Sequence, residues 1–135
     1  MVNMSKKIAL MVSGVAVQKF MTELQNEQEV LALLGDMVIE VYAMESGLLR
    51  AERVISDQGE DKARYHIAAV QAYVDEQIPR IEAWAKQFIA FVEEGDMQRT
   101  QIMGIRKLAR YQQIDTISLK RQLADRIIEL EKYPF

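Results

Sequence analysis

The sequence predicts an all-α protein, a helical bundle with three long helices and two shorter C-terminal ones. Apolar residues recur at spacings of three and four along nearly the whole chain, the signature of helices with one buried face. Only 2 prolines and 6 glycines interrupt 135 residues, too few for the many tight turns of an all-β fold. No stretch keeps the strict alternation of a half-buried strand. With 50% hydrophobic and 27% charged residues the composition is globular, and residues 1–135 are expected to form a single helical domain.

The first helix is expected from about Ser5 to Asn26, with Leu10, Val17, Met21 and Leu24 on its inner face. Gly14 falls inside it, where glycine costs about 1 kcal/mol against alanine, so close helix packing is the expected compensation. The second stripe is Val30, Leu34, Met37, Val41, Met44 and Leu48, running to about Ile55 before a break at Asp57, Gln58 and Gly59. The third helix keeps Ile67, Val70, Val74, Ile78, Ile81, Ala85, Phe88 and Val92 in one phase. Pro79 lies within it and removes the donor that would bond the Asp75 carbonyl. Because the apolar phase is unbroken there, a kink is expected at Pro79 and not a stop. Gly95 is read as a C-terminal cap and Asp96 as the next N-cap. The fourth helix then runs from about Met97 to Gln112 and buries Ile102, Ile105 and Ala109. Asp115 or Thr116 caps the last, which points Leu119, Leu123, Ile127 and Leu130 inward and ends before Pro134.

The N-terminus imitates a signal peptide, with Lys6 and Lys7 ahead of an apolar run from Ile8 to Val17. Ser13 and Gly14 interrupt the run, no small-x-small cleavage site follows, and ten residues are too short to cross a bilayer core about 30 Å thick. It reads as a buried helix, and the expected location is the cytoplasm, in keeping with the absence of cysteine.

That absence also excludes disulfide scaffolds, thiolate zinc sites and cysteine nucleophiles. His66 is the single histidine, so no site needing two imidazoles is possible. A di-iron bundle needs a Glu-x-x-His pair on each of two helices, and the residue three before His66 is Ala63. His66 therefore reads as a boundary residue of the third helix. Glu23, Glu27, Glu40 and Glu45 are acid/base candidates by type, but no spacing selects one, and they read as solvated helix faces. No phosphate-binding loop or nucleophile elbow occurs. The 8 methionines read as core filling among Leu and Ile.

Charge is divided along the chain. Residues 31–96 hold 6 basic and 13 acidic side chains, and residues 97–135 hold 8 basic and 4 acidic, so the two stretches carry opposite net signs. The run Arg99, Arg106, Lys107, Arg110, Lys120 and Arg121, with Tyr111 among it, is the one feature suited to an anion. Arg99, Arg106, Lys107 and Arg110 are its candidate contacts, for an acidic protein surface, a phosphate or an anionic membrane. A net charge of -3 argues against nucleic acid. Tyr73, Trp84 and Phe91 lie off the main stripe of the third helix and are the candidate interface residues of a homodimer, Trp84 foremost.

The segment Leu33 to Ile55, LLGDMVIEVYAMESGLLRAERVI, with VQKFMTELQNEQEV before it, resembles the helical C-terminal region of acyl-CoA dehydrogenases. The resemblance is carried by Leu34, Gly35, Asp36, Met37, Tyr42, Ala43, Met44, Glu45, Ser46, Leu49 and Arg50. The helix from Lys62 to Glu94 is similar in length and in its alanine-rich start. The end, RKLARYQQIDTISLKRQLADRIIELEKYPF, resembles the tail of the very-long-chain type and of bacillus-like bacterial relatives. That family uses FAD, a catalytic glutamate and a glycine-rich stretch that meets the flavin. Here the corresponding end of the third helix reads AWAKQFIAFVEEGD and lacks the glycine cluster.

The resemblance thus implies a non-catalytic C-terminal helical domain, a piece of a larger flavin-dependent enzyme of fatty-acid oxidation. No cofactor is expected in this chain itself, and FAD is expected in the parent enzyme. That parent would convert an acyl-CoA thioester to its 2,3-enoyl form and pass electrons to an electron-transfer flavoprotein. The domain's own work would be packing on the catalytic domain, subunit association or attachment to a surface, peripheral membrane contact included. The alternative is a free-standing helical adaptor that binds an acidic partner through its basic C-terminal helices.

Overall fold

A computed structural model describes residues 1–133. Five α-helices follow one another: α1 (Val2–Phe20), α2 (Gln28–Gln58), α3 (Glu60–Val92), α4 (Gly95–Leu108) and α5 (Thr116–Leu130). A 3-10 segment, Met21–Asn26, joins α1 to α2. No strand occurs among the described residues. The all-α expectation, with three long and two shorter helices, holds. The chain sorts into two compact units, Met1–Tyr42 with Gln77–Tyr111, and Ala43–Glu76 with the chain from Gln112 onward. The two longest helices, α2 and α3, each give one half to each unit.

The first unit is built on α1, the start of α2, the end of α3, and α4. Its core holds Ile8, Val12, Met37, Ile81, Phe88, Ile89 and Ile105, all fully enclosed. α3 runs unbroken through Pro79, and Val74, Ile78, Ile81, Ala85 and Phe88 stay buried on one face, as the phase of the sequence requires. Proline inside a helix costs about 3 kcal/mol. Two flanking isoleucines, each worth roughly 1.5–3 kcal/mol when buried, outweigh that loss and keep the helix whole.

α1 departs from the expected face. Leu10 and Met21 are 72% and 75% exposed, Val17 is exposed too, and Leu24 is half-buried. The buried face is Val2, Ser5, Ile8, Ala9, Val12 and Ala16. α1 packs on α4, and its buried face mixes the small Ser5, Ala9 and Ala16 with Val2, Ile8 and Val12. Gly14 is not part of that contact, since a Cβ built there meets nothing within 4 Å. α1 also ends earlier than expected, because Met21 takes φ 46° and ψ −118°, a conformation that suits glycine and strains any other residue.

The second unit comprises the end of α2, the start of α3, and α5. Met44 and Ala51 of α2 are buried, as are Ala63, Ala68, Ala72 and Val74 of α3. Where α2 approaches α3, Gly47 lies so close to Val70 that an added Cβ would stand 3.3 Å from its Cγ2 atom. Gly59, at φ 86°, makes the break between the helices; its N–H bonds the Ile55 carbonyl and so closes the last turn of α2. α5 is capped as expected: Asp115 accepts from the N–H of Ser118 at 3.0 Å and from its hydroxyl at 2.6 Å. Those two bonds hold the Asp115 carboxyl below its ordinary 3.8. α5 has no fully buried residue; Leu119, Leu123 and Leu130 are half-buried, while Ile127, expected inward, is exposed.

The joint between α3 and α4 also differs from expectation. Gly95, at φ 60°, opens α4; Glu94 is its N-cap, and Asp96 falls in the first turn, 3.3 Å from Arg99. α4 stops at Leu108, short of the expected Gln112, although Ile105 and Ala109 are buried as foreseen.

Two exchanges test the account of α1. Gly14→Ala should raise stability by roughly 0.5–1 kcal/mol, because the helix gains propensity and the methyl group meets nothing. Met21→Gly should raise it by about 1 kcal/mol, because the strained torsion is relieved and an exposed side chain is all that is lost. Urea unfolding of both variants measures this; destabilisation by Gly14→Ala would restore the tight-packing reading of that glycine.

Candidate functional site

The carboxylates do not converge. Glu23 accepts from the Asn26 side-chain amide at 2.8 Å, Glu40 sits 3.7 Å from the Arg80 guanidinium, and Glu45 belongs to the other unit. No group of three or more potential metal ligands occurs among the described residues. His66 lies half-buried on a cleft of about 170 Å³ in the second unit, which Arg50, Val70 and Tyr133 also line. Of the four candidate glutamates only Glu27 lines one of the clefts described here, that beside Phe91.

The basic run is split between units. Lys120 is ion-paired with Glu76 in the second unit, beside buried Asp75, whose carboxylate accepts the Ile114 N–H at 3.2 Å. These contacts fasten the α4–α5 connection and α5 to α3. Arg121 is exposed on the same helix. In the first unit Arg99, Arg106, Lys107 and Arg110 are all exposed. Arg99, Met103 and Arg106 follow at spacings of four and three along α4 and form one outward track. Tyr111 is half-buried, on a cleft of about 190 Å³ that it shares with Met1, Ile78 and Arg110.

Tyr73, Trp84 and Phe91 follow one track of α3 by helical spacing, yet their surroundings differ. Tyr73, in the second unit, is on the border of exposure at 38%. Trp84 is half-buried, with the Arg80 guanidinium carbon 5.3 Å from its ring centre. Arg80 also bonds Gln77 Oε1 at 2.9 Å, so one cation ties Trp84, Gln77 and Glu40 together. Phe91 is 64% exposed and stacked on Phe20, with ring centres 6.2 Å apart.

Phe91 borders a cleft of about 400 Å³ in the first unit. Val30, Leu33 and Phe88 form its apolar lining, and Glu27 and Glu29 stand at its edge with Gln87. The sequence singled out Phe91 but not this cleft. Its lining comes from around the start of α2 and the end of α3, and the polar run Thr22 to Glu29, low in apolar phase, was the signal that the first helix ends before it.

Residues 4–107 match the family model described as "Acyl-CoA dehydrogenase, C-terminal domain". The chain belongs to the acyl-CoA dehydrogenase C-terminal domain family. It is 42% identical over 132 residues to a probable acyl-CoA dehydrogenase of Bacillus subtilis, covering 98% of this chain and 22% of that protein. It superposes with a TM-score of 0.95 on the crystal structure of an acyl-CoA dehydrogenase complexed with FAD from Bacillus anthracis. That match is at 41% identity and covers 98% of this chain and 23% of the other. The chain thus spans less than a quarter of the length of the relatives it matches.

The FAD held by the Bacillus anthracis relative directs attention to the helix N-termini of this chain. Pyrophosphate is held at helix N-termini by free N–H groups and the positive end of the dipole. Four of the five helix starts carry carboxylates: Glu29 on α2, Glu60 and Asp61 on α3, Asp96 on α4, and the Asp115 cap on α5, whereas α1 has none in its first turn. The Phe91 cleft is lined by Glu27 as well as by Glu29, and the junction of α3 and α4 holds a single glycine, Gly95.

The anchoring of α5 gives a measurable ranking. Asp75→Ala leaves the Ile114 N–H without its carboxylate and should lower stability by about 1–3 kcal/mol. Lys120→Ala removes a half-exposed ion pair and should lower it by no more than about 1 kcal/mol. Urea unfolding distinguishes them; equal effects would show that the buried carboxylate is not the principal anchor.

Proposed function

We propose that the chain is a non-catalytic helical module of a larger, flavin-dependent acyl-CoA dehydrogenase, serving to pack against the catalytic part of that enzyme and to associate subunits. The observation that supports this most is the two-sidedness of its helices. α1 buries small residues and turns Leu10 and Val17 outward at a seven-residue spacing. The first half of α2 does likewise: Val30 and Met37 face the core, while Leu31, Val38 and Tyr42 are exposed on a second track. Large apolar side chains turned outward at helical spacing on both helices suit a face covered by another protein surface.

By family, the larger enzyme would bind FAD and act in fatty-acid oxidation; this module would contribute surface and not chemistry. A free-standing adaptor is disfavoured, since its basic C-terminal surface is partly consumed within the fold, Lys120 by Glu76 and Arg99 by Asp96.

Absorbance and pull-down measurements test the reading together. The purified chain should show no stoichiometric flavin band near ~450 nm and no acyl-CoA dehydrogenase activity. It should nevertheless bind the flavin-containing part of a closely related acyl-CoA dehydrogenase supplied as a separate polypeptide. A flavin band or intrinsic activity contradicts the module, as does failure to bind that part at any ionic strength.

A further inference from the structure

We propose that the Phe91 cleft of the first unit is the seat for α4 of a second copy of this chain, the two copies exchanging helices reciprocally. This deepens the subunit-association part of the proposed function by naming the surface and its partner.

The cleft has an apolar floor and an acidic edge. Phe88, Val30 and Leu33 line it, Phe91 stands exposed beside it against Phe20, and Glu27 and Glu29 stand at the rim. A closed cavity of about 150 Å³ is enough for a benzene-sized group. A cleft of about 400 Å³ therefore accepts one long apolar side chain together with the aliphatic stems of its neighbours. Neither Glu27 nor Glu29 has an ion-pair partner among the described residues. The occupant that fits is a helix with one exposed apolar residue between cations.

α4 presents that pattern. Met103 is exposed at 61% and lies between Arg99 and Arg106 on the outward track, with Lys107 next to Arg106. Arg106 and Lys107 likewise have no ion-pair partner among the described residues. Methionine is flexible and polarizable, well suited to a cleft walled by two phenylalanine rings. Within one copy, α4 packs on α1 and buries Ile105 and Ala109, while its Met103 track is exposed on another side of the helix. Across a two-fold axis each cleft receives the other's α4, so the contact is made twice and closes the assembly at two copies. Opposed charges at the rim fix the register and make association sensitive to salt.

The test is sedimentation equilibrium of the 135-residue chain at tens of micromolar, with circular dichroism to verify helix content. A dimer is expected at low salt, weakened in 1 M salt, roughly where the Debye length falls to 3 Å. Glu29→Arg and Arg106→Glu should each weaken the dimer at least about tenfold, and the two combined should regain most of the loss, because the pair is restored with exchanged signs. Met103→Asp, which alters an exposed residue and spares the core, should abolish the dimer with helix content unchanged. A monomeric parent chain, association indifferent to both charge reversals, or no recovery in the combined variant would each overturn the proposal. A chain that remains monomeric yet binds the flavin-containing part would overturn this pairing alone and leave the module reading standing.

Discussion

Everything in this fold depends on α3 holding one apolar phase for 33 residues across Pro79. A proline in mid-helix removes a hydrogen bond and crowds the preceding turn, an effect of about 3 kcal/mol. It is tolerated because Val74, Ile78, Ile81, Ala85 and Phe88 all lie in the core, and a break would turn part of that face out to water. The same continuity lets one helix supply the core of the first unit with Phe88 and Ile89 and that of the second with Ala68 and Ala72. Asp75, one turn before the proline, is buried and accepts the Ile114 N–H, so the chain leaving α4 is secured where α3 is most constrained.

How much was legible in the sequence follows from how each helix uses its apolar residues. α3 was read well in its middle, where Val74, Ile78, Ile81, Ala85 and Phe88 are all buried as the stripe predicts. α2 was read nearly as well: Val30, Met37 and Met44 are buried as expected, although Leu48 is on the border of exposure. α1 was misread because size and burial part company there. Hydrophobicity favours Leu10, Val17 and Met21, whereas the buried face takes in the small Ser5, Ala9 and Ala16. No periodicity distinguishes a large residue facing its own core from one facing a neighbouring protein. The end of α1 at Phe20 was hidden for another reason, since it is set by the torsion of a methionine and not by a glycine or proline.

The candidate sites were legible in part. Asp115 capping α5 follows from sequence chemistry alone. The basic residues of α4 and the aromatic track of α3 were visible as residues, but their roles depended on partners far away in sequence: Arg80 lies over Trp84, Glu76 takes Lys120, and Phe20 stacks on Phe91. What distinguishes this domain chemically is its distribution of carboxylates. Acidic side chains at the starts of α2, α3, α4 and α5 satisfy the helix dipoles and leave those ends unsuited to phosphate.

The central claim is that the outward apolar tracks of α1 and α2 are covered in the assembled enzyme. Hydroxyl-radical footprinting tests it most directly, applied to the chain alone and again within a full-length acyl-CoA dehydrogenase that carries it as its C-terminal domain. Leu10, Val17, Val38 and Tyr42, all exposed here, should be oxidised readily in the isolated chain and strongly protected in the full-length protein. Equal oxidation in both settings would contradict the account, because the large residues that α1 and α2 turn outward would then have no surface to meet.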